Sequence, residues 1–95
     1  MITTKQRATL RGFANKLEVI LQIGKGGITS TVLKQANDAL VAREMIKCKV
    51  LDNSGIDVRE AAQKLAEAAQ ADIVQTIGSR FVIYKKNEKT PIYEI

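Results

Sequence analysis

The chain has 95 residues, 45% of them hydrophobic, and carries 15 basic against 10 acidic residues, a formal net charge of +5. This length suits one domain, and the apolar fraction is typical of a folded globular protein rather than a disordered one. No apolar run approaches the roughly 18 residues of a membrane-spanning helix, and the N-terminus lacks a hydrophobic signal core. We therefore expect a cytoplasmic protein with no membrane partner.

Histidine is absent, and cysteine occurs once, at Cys48. The lack of histidine removes the commonest general base and metal ligand, and a lone cysteine excludes an internal disulfide. The setting of Cys48, in MIKCKVL, favours a small buried side chain over a nucleophile. We therefore expect neither an enzyme, nor a metal site, nor a cofactor.

The N-terminal quarter predicts a helix and then a short strand. Thr3 or Thr4 is suited to cap the helix, because apolar residues follow it at spacings of three and four. The residues expected to face the core are Leu10, Phe13, Ala14 and Leu17. Residues 19–23 (VILQI) are mostly β-branched and end at a glycine, so they predict a buried strand.

The middle of the chain predicts a second helix and a second strand. Thr29 or Ser30 can cap the helix, and one stripe of it is apolar. The residues of that stripe are Val32, Leu33, Ala36, Ala39 and Leu40. The following segment, EMIKCKVL, alternates in polarity, which indicates a strand with one apolar and one basic face.

The second half predicts a turn, a third helix and a hairpin. Residues 52–55 (DNSG) have turn chemistry, and Asp57 can cap an alanine-rich helix that packs closely on a sheet. DIVQTI and RFVIYKK then read as two strands joined by a tight turn at Gly78-Ser79. Residues 87–95 form a polar C-terminal tail.

The element order is therefore α-β-α-β-α-β-β. Its β-α-β-α-β portion predicts parallel strands, and the last hairpin adds one antiparallel strand. The fold class expected is a two-layer α/β sandwich with a four-stranded mixed sheet. Residues 1–86 form its single domain, and nothing in the sequence requires more than a monomer.

Gly24, Lys25, Gly26 and Gly27 connect the first strand to the second helix. Ligands of open α/β sheets bind outside the carboxyl ends of the strands, and helix N-termini attract anions through unpaired N–H groups. Glycines would let a phosphate approach the backbone, and Lys25 would add a positive charge. The alternative is that the glycines only build a tight turn.

Known phosphate loops fit this segment poorly. It lacks the lysine-hydroxyl pair of a Walker A loop and the G-x-G-x-x-G of a dinucleotide site. The KH domain holds a nucleic-acid backbone with a GxxG loop, but that loop joins two helices. Here a strand precedes the loop, so the chemistry is similar to KH while the framework differs.

Four stretches of the chain, in this order and spacing, resemble the CRM (RNA splicing and ribosome maturation) domain. They are LRGFANKL, QIGKGGIT, REMIKCKVL and VQTIGSRFVIYKK. The resemblance covers residues 3 to about 86 and extends to the stand-alone bacterial YhbY-type proteins. It implies RNA binding, a fold similar to the C-terminal domain of translation initiation factor three, and association with the precursor of the large ribosomal subunit. It places the family's GxxG loop on Gly24–Gly27. The family often has proline before the first strand, where this chain has Glu18-Val19.

The positive charge lies in the first half of the chain: residues 1–49 have a net charge of +6 and residues 50–95 of −1. This asymmetry suits a polyanionic partner, although solubility alone could explain it. Beyond the loop, the residues expected to contact RNA are Arg11, Lys16, Lys47, Lys49 and Arg80. For the two strand lysines, a merely solvated face is the alternative.

The chain has four aromatic residues on which bases could stack. Phe13 and Phe81 are expected in the core, and Tyr84 either stacks on a base or packs internally. With so few platforms, we expect recognition to rest on the RNA backbone and on shape, which suits a structured or double-stranded RNA target.

The leading hypothesis is a non-enzymatic protein that binds ribosomal RNA of the large-subunit precursor, with assembly proteins as further partners. A second hypothesis is a protein-interaction adaptor that uses an exposed sheet face or edge and has incidental positive charge. A nucleotide-using enzyme is disfavoured, because no Mg²⁺-binding motif and no paired carboxylates are visible.

Overall fold

The computed structural model describes residues 1–95 as three helices around one four-stranded sheet. The elements are α1 (Thr4–Ala14), β1 (Val19–Ile23), α2 (Ser30–Arg43), β2 (Met45–Val50), α3 (Val58–Ala69), β3 (Asp72–Ile77) and β4 (Arg80–Tyr84). A 3₁₀ turn at Asp52–Ser54 precedes α3. The predicted α/β class, the element order and the mixed sheet are confirmed.

The strands lie in the order β1-β2-β4-β3. β1 and β2 are parallel, and β4 is antiparallel to both of its neighbours. β3 therefore runs in the direction of β1 and β2, as expected, but β4 lies between it and β2. The hairpin strand thus fills a central position of the sheet rather than an edge.

Each helix begins at the kind of cap that the sequence predicts. Thr3 caps α1 in a capping box with Gln6, since each side chain accepts a hydrogen bond from the other residue's N–H. Thr29 accepts a hydrogen bond from the N–H of Val32, and Asp57 accepts one from the N–H of Arg59. At the other end of α3, the Lys85 ammonium donates to the Ala69 carbonyl at 3.0 Å.

The sheet carries a separate core on each face. The larger core cluster packs α2 and α3 on one face and has 14 buried residues, among them Ile23, Ile46, Leu65, Phe81 and Ile83. These are the two predicted layers. The smaller core cluster lies on the other face, beneath α1, and consists of Leu10, Ala14, Met45, Val74, Val82 and Tyr84. Helix α1 thus adds a partial third layer.

Two aromatic predictions are resolved by these clusters. Phe81 is buried, as expected, and Tyr84 packs internally, with only 2% of its surface exposed. The placement of Phe13 in the core was wrong: its side chain is 47% exposed and lies against Tyr93, with the ring centroids 5.4 Å apart. Helix α1 buries a narrower stripe than its sequence suggests, because it covers only part of the sheet.

The C-terminal tail, residues 87–95, has no helix or strand but contacts the domain at three points. Ile92 donates its N–H to Glu44 Oε1 at 2.6 Å, and Tyr93 packs against the smaller core cluster. Asn87 donates to the Val41 carbonyl at 3.2 Å. Glu44 itself is fully buried at the end of α2 and has a positive φ of 69°.

Candidate nucleic-acid interface

The Gly24–Gly27 loop is a tight turn with Lys25 exposed at its tip. The N–H of Gly27 donates to the Gly24 carbonyl at 3.1 Å, which closes the turn. Gly26, in the third position, has a φ of 94°, and Gly27 has a φ of 64°. A positive φ at the third position is what a type II turn requires, which accounts for Gly26. Gly27, in the fourth position, has a left-handed φ that favours glycine for the same steric reason.

Gly24 differs from the other two glycines. It is not among the residues with a positive φ, and a Cβ placed on it would lie 3.6 Å from Leu51 Cδ1, an ordinary van der Waals contact. Neither strain nor crowding demands a glycine here. What a side chain would change is the access of a ligand to the backbone of the loop.

The loop leads into the N-terminus of α2, whose cap is Thr29. Apart from the cap hydrogen bond to Val32, free donors remain in the loop and at the first residue of α2: the N–H groups of Gly26, Ile28 and Ser30 have no protein acceptor. Free N–H groups and the positive end of the helix dipole at one place favour an anion.

Three cations form what we call the basic sheet face: Lys47, Lys49 and Arg80. Lys49 on β2 lies directly opposite Arg80 on β4, and Lys47 is two residues along β2 on the same side. This is the side of the sheet that α1 covers only in part. Gln22 of β1, opposite Lys49, extends the same row and was not expected from the sequence as part of the site. The strand period of two that buries Leu21 and Ile23 would have revealed it.

No carboxylate neutralises these cations. The ion pairs of the chain are Lys34–Asp38 and Lys64–Glu60, both on helix surfaces. Like charges directly opposite each other on neighbouring strands destabilise a sheet. The basic sheet face is therefore an arrangement that the fold alone does not explain.

The loop lies at the same end of the sheet as Lys49 and Arg80. β1 and β2 both terminate at this end, where the N–H of Leu51 donates to the Ile23 carbonyl at 2.9 Å. β4 begins at the same end, and the N–H of Val50 donates to the Ser79 carbonyl at 2.8 Å. Lys49 and Arg80 are thus the face residues closest to the loop.

The two helix residues predicted for the site lie in different settings. Lys16 is exposed just beyond the end of α1 and lines a pocket together with Lys47. Arg11 is engaged in the fold, because its Nε lies 3.4 Å from the Val74 carbonyl. Arg7, one turn earlier, donates to the Ile73 carbonyl at 2.9 Å. Together the two arginines tie α1 to β3.

At the opposite end of the sheet, Tyr84 and Glu44 form a buried polar pair. The Tyr84 hydroxyl and Glu44 Oε2 are both enclosed without a well-formed hydrogen bond. Burial raises the pKa of Tyr84 to about 12, and the nearby Glu44 carboxylate adds to the effect. Burial and the same carboxylate also raise the pKa of Tyr93. These groups anchor the tail and lie away from the basic sheet face.

The structure holds no group of three or more His, Cys, Asp or Glu side chains that could hold a metal ion. None of the three helices has the length and apolar character needed to cross a bilayer. Burial raises the pKa of the Cys48 thiol to about 12, so this thiol is protonated at neutral pH.

The model of the CRS1/YhbY (CRM) domain family matches residues 2–85. The chain belongs to the CRM domain family. The matched range includes the glycine loop and every residue of the basic sheet face, and it leaves only Met1 and the last ten residues outside.

CRM relatives of similar length match this chain over nearly all of it. The "Probable RNA-binding protein YqeI" of Bacillus subtilis is 40% identical, with 100% of this chain and 99% of the relative covered. An "RNA-binding protein" of Haemophilus influenzae is 37% identical, with 96% and 92% covered. The solution structure of the hypothetical protein SAV1595 from Staphylococcus aureus has a TM-score of 0.85 at 43% identity, with 100% and 99% covered. The Bacillus and Haemophilus relatives are both named as RNA-binding proteins.

Proposed function

We propose that this CRM domain binds RNA through the Gly24–Gly27 loop and the basic sheet face. The observation that carries the proposal is the Lys49–Arg80 cation pair, which lies across two strands without any acidic partner, beside a loop with free N–H donors. An RNA backbone would supply the missing negative charge. The RNA-binding names of the relatives support the same conclusion.

The loop would act as the seat for one phosphate. The N–H groups of Gly26, Ile28 and Ser30 donate to its oxygens, Lys25 covers it from the tip, and Gly24 leaves the approach open. The basic sheet face then neutralises the phosphates on either side. Because Phe81 and Tyr84 are buried, this surface positions the backbone without stacking bases on those two rings.

The proposed cellular setting is assembly of the large ribosomal subunit, with ribosomal RNA of its precursor as the ligand. The support is the family membership, because the CRM resemblance implies association with that precursor. We accordingly propose a cytoplasmic protein that acts as a monomer on pre-ribosomal particles, alongside other assembly proteins. Co-sedimentation with large-subunit precursors would test this setting.

A titration of labelled large-subunit RNA fragments at several salt concentrations tests the binding surface. The double variant Lys49→Gln/Arg80→Gln should bind much more weakly, and its slope of log affinity against log salt should become shallower by about 1.4 to 1.8. The matched control is Lys34→Gln/Lys64→Gln, which removes two cations that are already paired on helix surfaces. The control should bind almost as the wild type does.

The same titration separates RNA binding from the adaptor hypothesis. Equal losses in the two double variants would mean that net charge alone matters and would overturn the proposed surface. Salt-insensitive association with a protein, and none with RNA, would favour an adaptor. Loss of affinity confined to Lys49→Gln/Arg80→Gln would support the proposal.

A further inference from the structure

The two edge strands of the sheet, β3 and β1, differ in how far their outer backbone groups are covered by side chains. At the β3 edge a bulge interrupts the register between Ile73 and Gln75, and Arg7 and Arg11 reach two of the carbonyls there. Bulges and covering charged side chains are the usual protections of an edge strand. At the other edge, β1 has a register shift of its own, between Val19 and Leu21, but it has no strand partner on its outer side and carries no charged residue between Val19 and Ile23. The two edges therefore differ in the arginine side chains that cover β3, not in the presence of a bulge.

A groove of about 500 Å³ runs along this open edge, between β1 and α2. It is lined by residues 19–22 of the strand and by Gln35 and Ala39 of the helix. We call it the β1–α2 groove. The Ile23 carbonyl points to β2, where it accepts from Leu51, and backbone groups alternate along a strand, so the N–H and C=O of Gln22 face outward.

The chemistry of the β1–α2 groove is neutral and rich in hydrogen-bonding groups. Backbone N–H and C=O groups and the exposed Gln35 amide supply donors and acceptors, while Ile20 and Ala39 supply apolar surface. A phosphate would find no cation among these lining residues. A nucleobase, which is flat, uncharged and edged with donors and acceptors, fits this lining.

The groove is continuous with the proposed phosphate seat. β1 runs directly into the Gly24–Gly27 loop, and at a strand rise of about 3.3 Å per residue Gln22 lies about 7 Å from Gly24 along the chain. The nucleotides that flank a phosphate in the loop would therefore meet the groove. Paired bases cannot present their Watson–Crick edges, so the strand must be unpaired there.

Resting on the proposed function, we infer that the β1–α2 groove receives unpaired bases of the RNA strand whose phosphate is held by the loop. The protein thereby selects a single-stranded segment of its target. An extended peptide would pair with the same edge, but the cationic loop at the end of the groove favours a polyanion.

The test compares three labelled RNAs of one length: a single strand, its blunt duplex, and a single strand with several adjacent abasic positions. The wild type should bind the single strand about tenfold more tightly than the other two. Gln35→Leu should lose several-fold of this preference, with an unchanged salt slope. The control Gln63→Leu, an exposed position on α3, should leave both quantities unchanged.

Amide NMR spectra locate the effect. The single strand should shift the signals of Gly26, Gln22 and the Gln35 side chain, and the abasic strand should shift Gly26 alone. Three results would each overturn the inference. The protein could bind duplex and single strand with equal affinity, the abasic strand could shift the groove signals as much as the intact strand does, or the two Gln→Leu variants could behave identically. Loss of the Gly26 shift with every RNA would instead contradict the loop as phosphate seat, so the two failures are distinguishable.

Discussion

Three glycines that look equivalent in the sequence have different physical reasons to be glycine. Gly26 and Gly27 have positive φ angles, where any other L-residue is strained. Gly24 has no such φ and has room for a methyl group. The turn interpretation therefore accounts for two of the three glycines and leaves the third to the proposed ligand.

This difference predicts opposite phenotypes for two alanine variants. Gly26→Ala should lower the free energy of unfolding by about 1–2 kcal/mol, because alanine must adopt φ near 94°. Gly24→Ala should change stability by less than about 0.5 kcal/mol but weaken RNA binding several-fold. Urea unfolding and the RNA titration measure the two effects. If Gly24→Ala binds RNA as the wild type does, then no phosphate contacts the loop backbone at Gly24.

The buried thiol of Cys48 and the buried phenol of Tyr84 predict how the free energy of unfolding depends on pH in the alkaline range. Burial raises the pKa of Cys48 from 9.0 to about 12 and that of Tyr84 from 10.0 to about 12. Above pH 9 the unfolded chain loses these protons while the folded protein keeps them, so the free energy of unfolding should fall as the pH rises toward 12. Cys48→Val and Tyr84→Phe should each flatten the decline in urea titrations at pH 7 to 11. An equally steep decline in both variants would assign it to other groups.

At the scale of elements, the close packing of α3 on the sheet was predicted correctly, because a helix rich in alanine can lie close to the surface that it covers. Ala61, Ala62, Ala66 and Ala69 are all buried against the sheet. Helix α1 was predicted less well. Its apolar stripe of Leu10, Phe13 and Ala14 indicates that the helix packs on the sheet, but it does not indicate which face of the sheet is covered or how much of that face. That choice depends on the arginine contacts to β3, which have no local signature in the sequence.

The packing of α3 predicts a position-dependent cost for one substitution. Ala62→Leu should lower the free energy of unfolding by about 1–3 kcal/mol, because three extra carbons have no space beneath the helix. Ala68→Leu adds the same atoms on the exposed side of α3 and should stay within about 0.5 kcal/mol of the wild type. Thermal or urea unfolding distinguishes the two variants. Similar costs at both positions would mean that α3 packs less tightly than the structure shows.

For the whole molecule, element order and strand direction could be read from the sequence, but strand order could not. The hairpin β3–β4 could have added β4 at the edge, and its central position depends on long-range pairing between β2 and β4. That pairing is also what places Lys49 opposite Arg80. The sequence named both residues as candidates, and only the register made them neighbours. Glu44 was not anticipated as buried, because a charged residue between two elements ordinarily lies in solvent.

The juxtaposition of Lys49 and Arg80 predicts that the binding surface reduces the stability of the free protein. Without RNA at low salt, Lys49→Gln/Arg80→Gln should be more stable than the wild type by about 0.2–1 kcal/mol, since two opposed like charges are removed. The gain should shrink at high salt, which screens exposed charges. Lys34→Gln/Lys64→Gln breaks two ion pairs and should lose a few tenths of a kcal/mol instead. A saturating RNA fragment should reverse the first comparison, because it stabilises the wild type more strongly than the variant. A variant that is less stable than the wild type without RNA would show that the fold itself uses these cations, and the argument from their missing partners would fail.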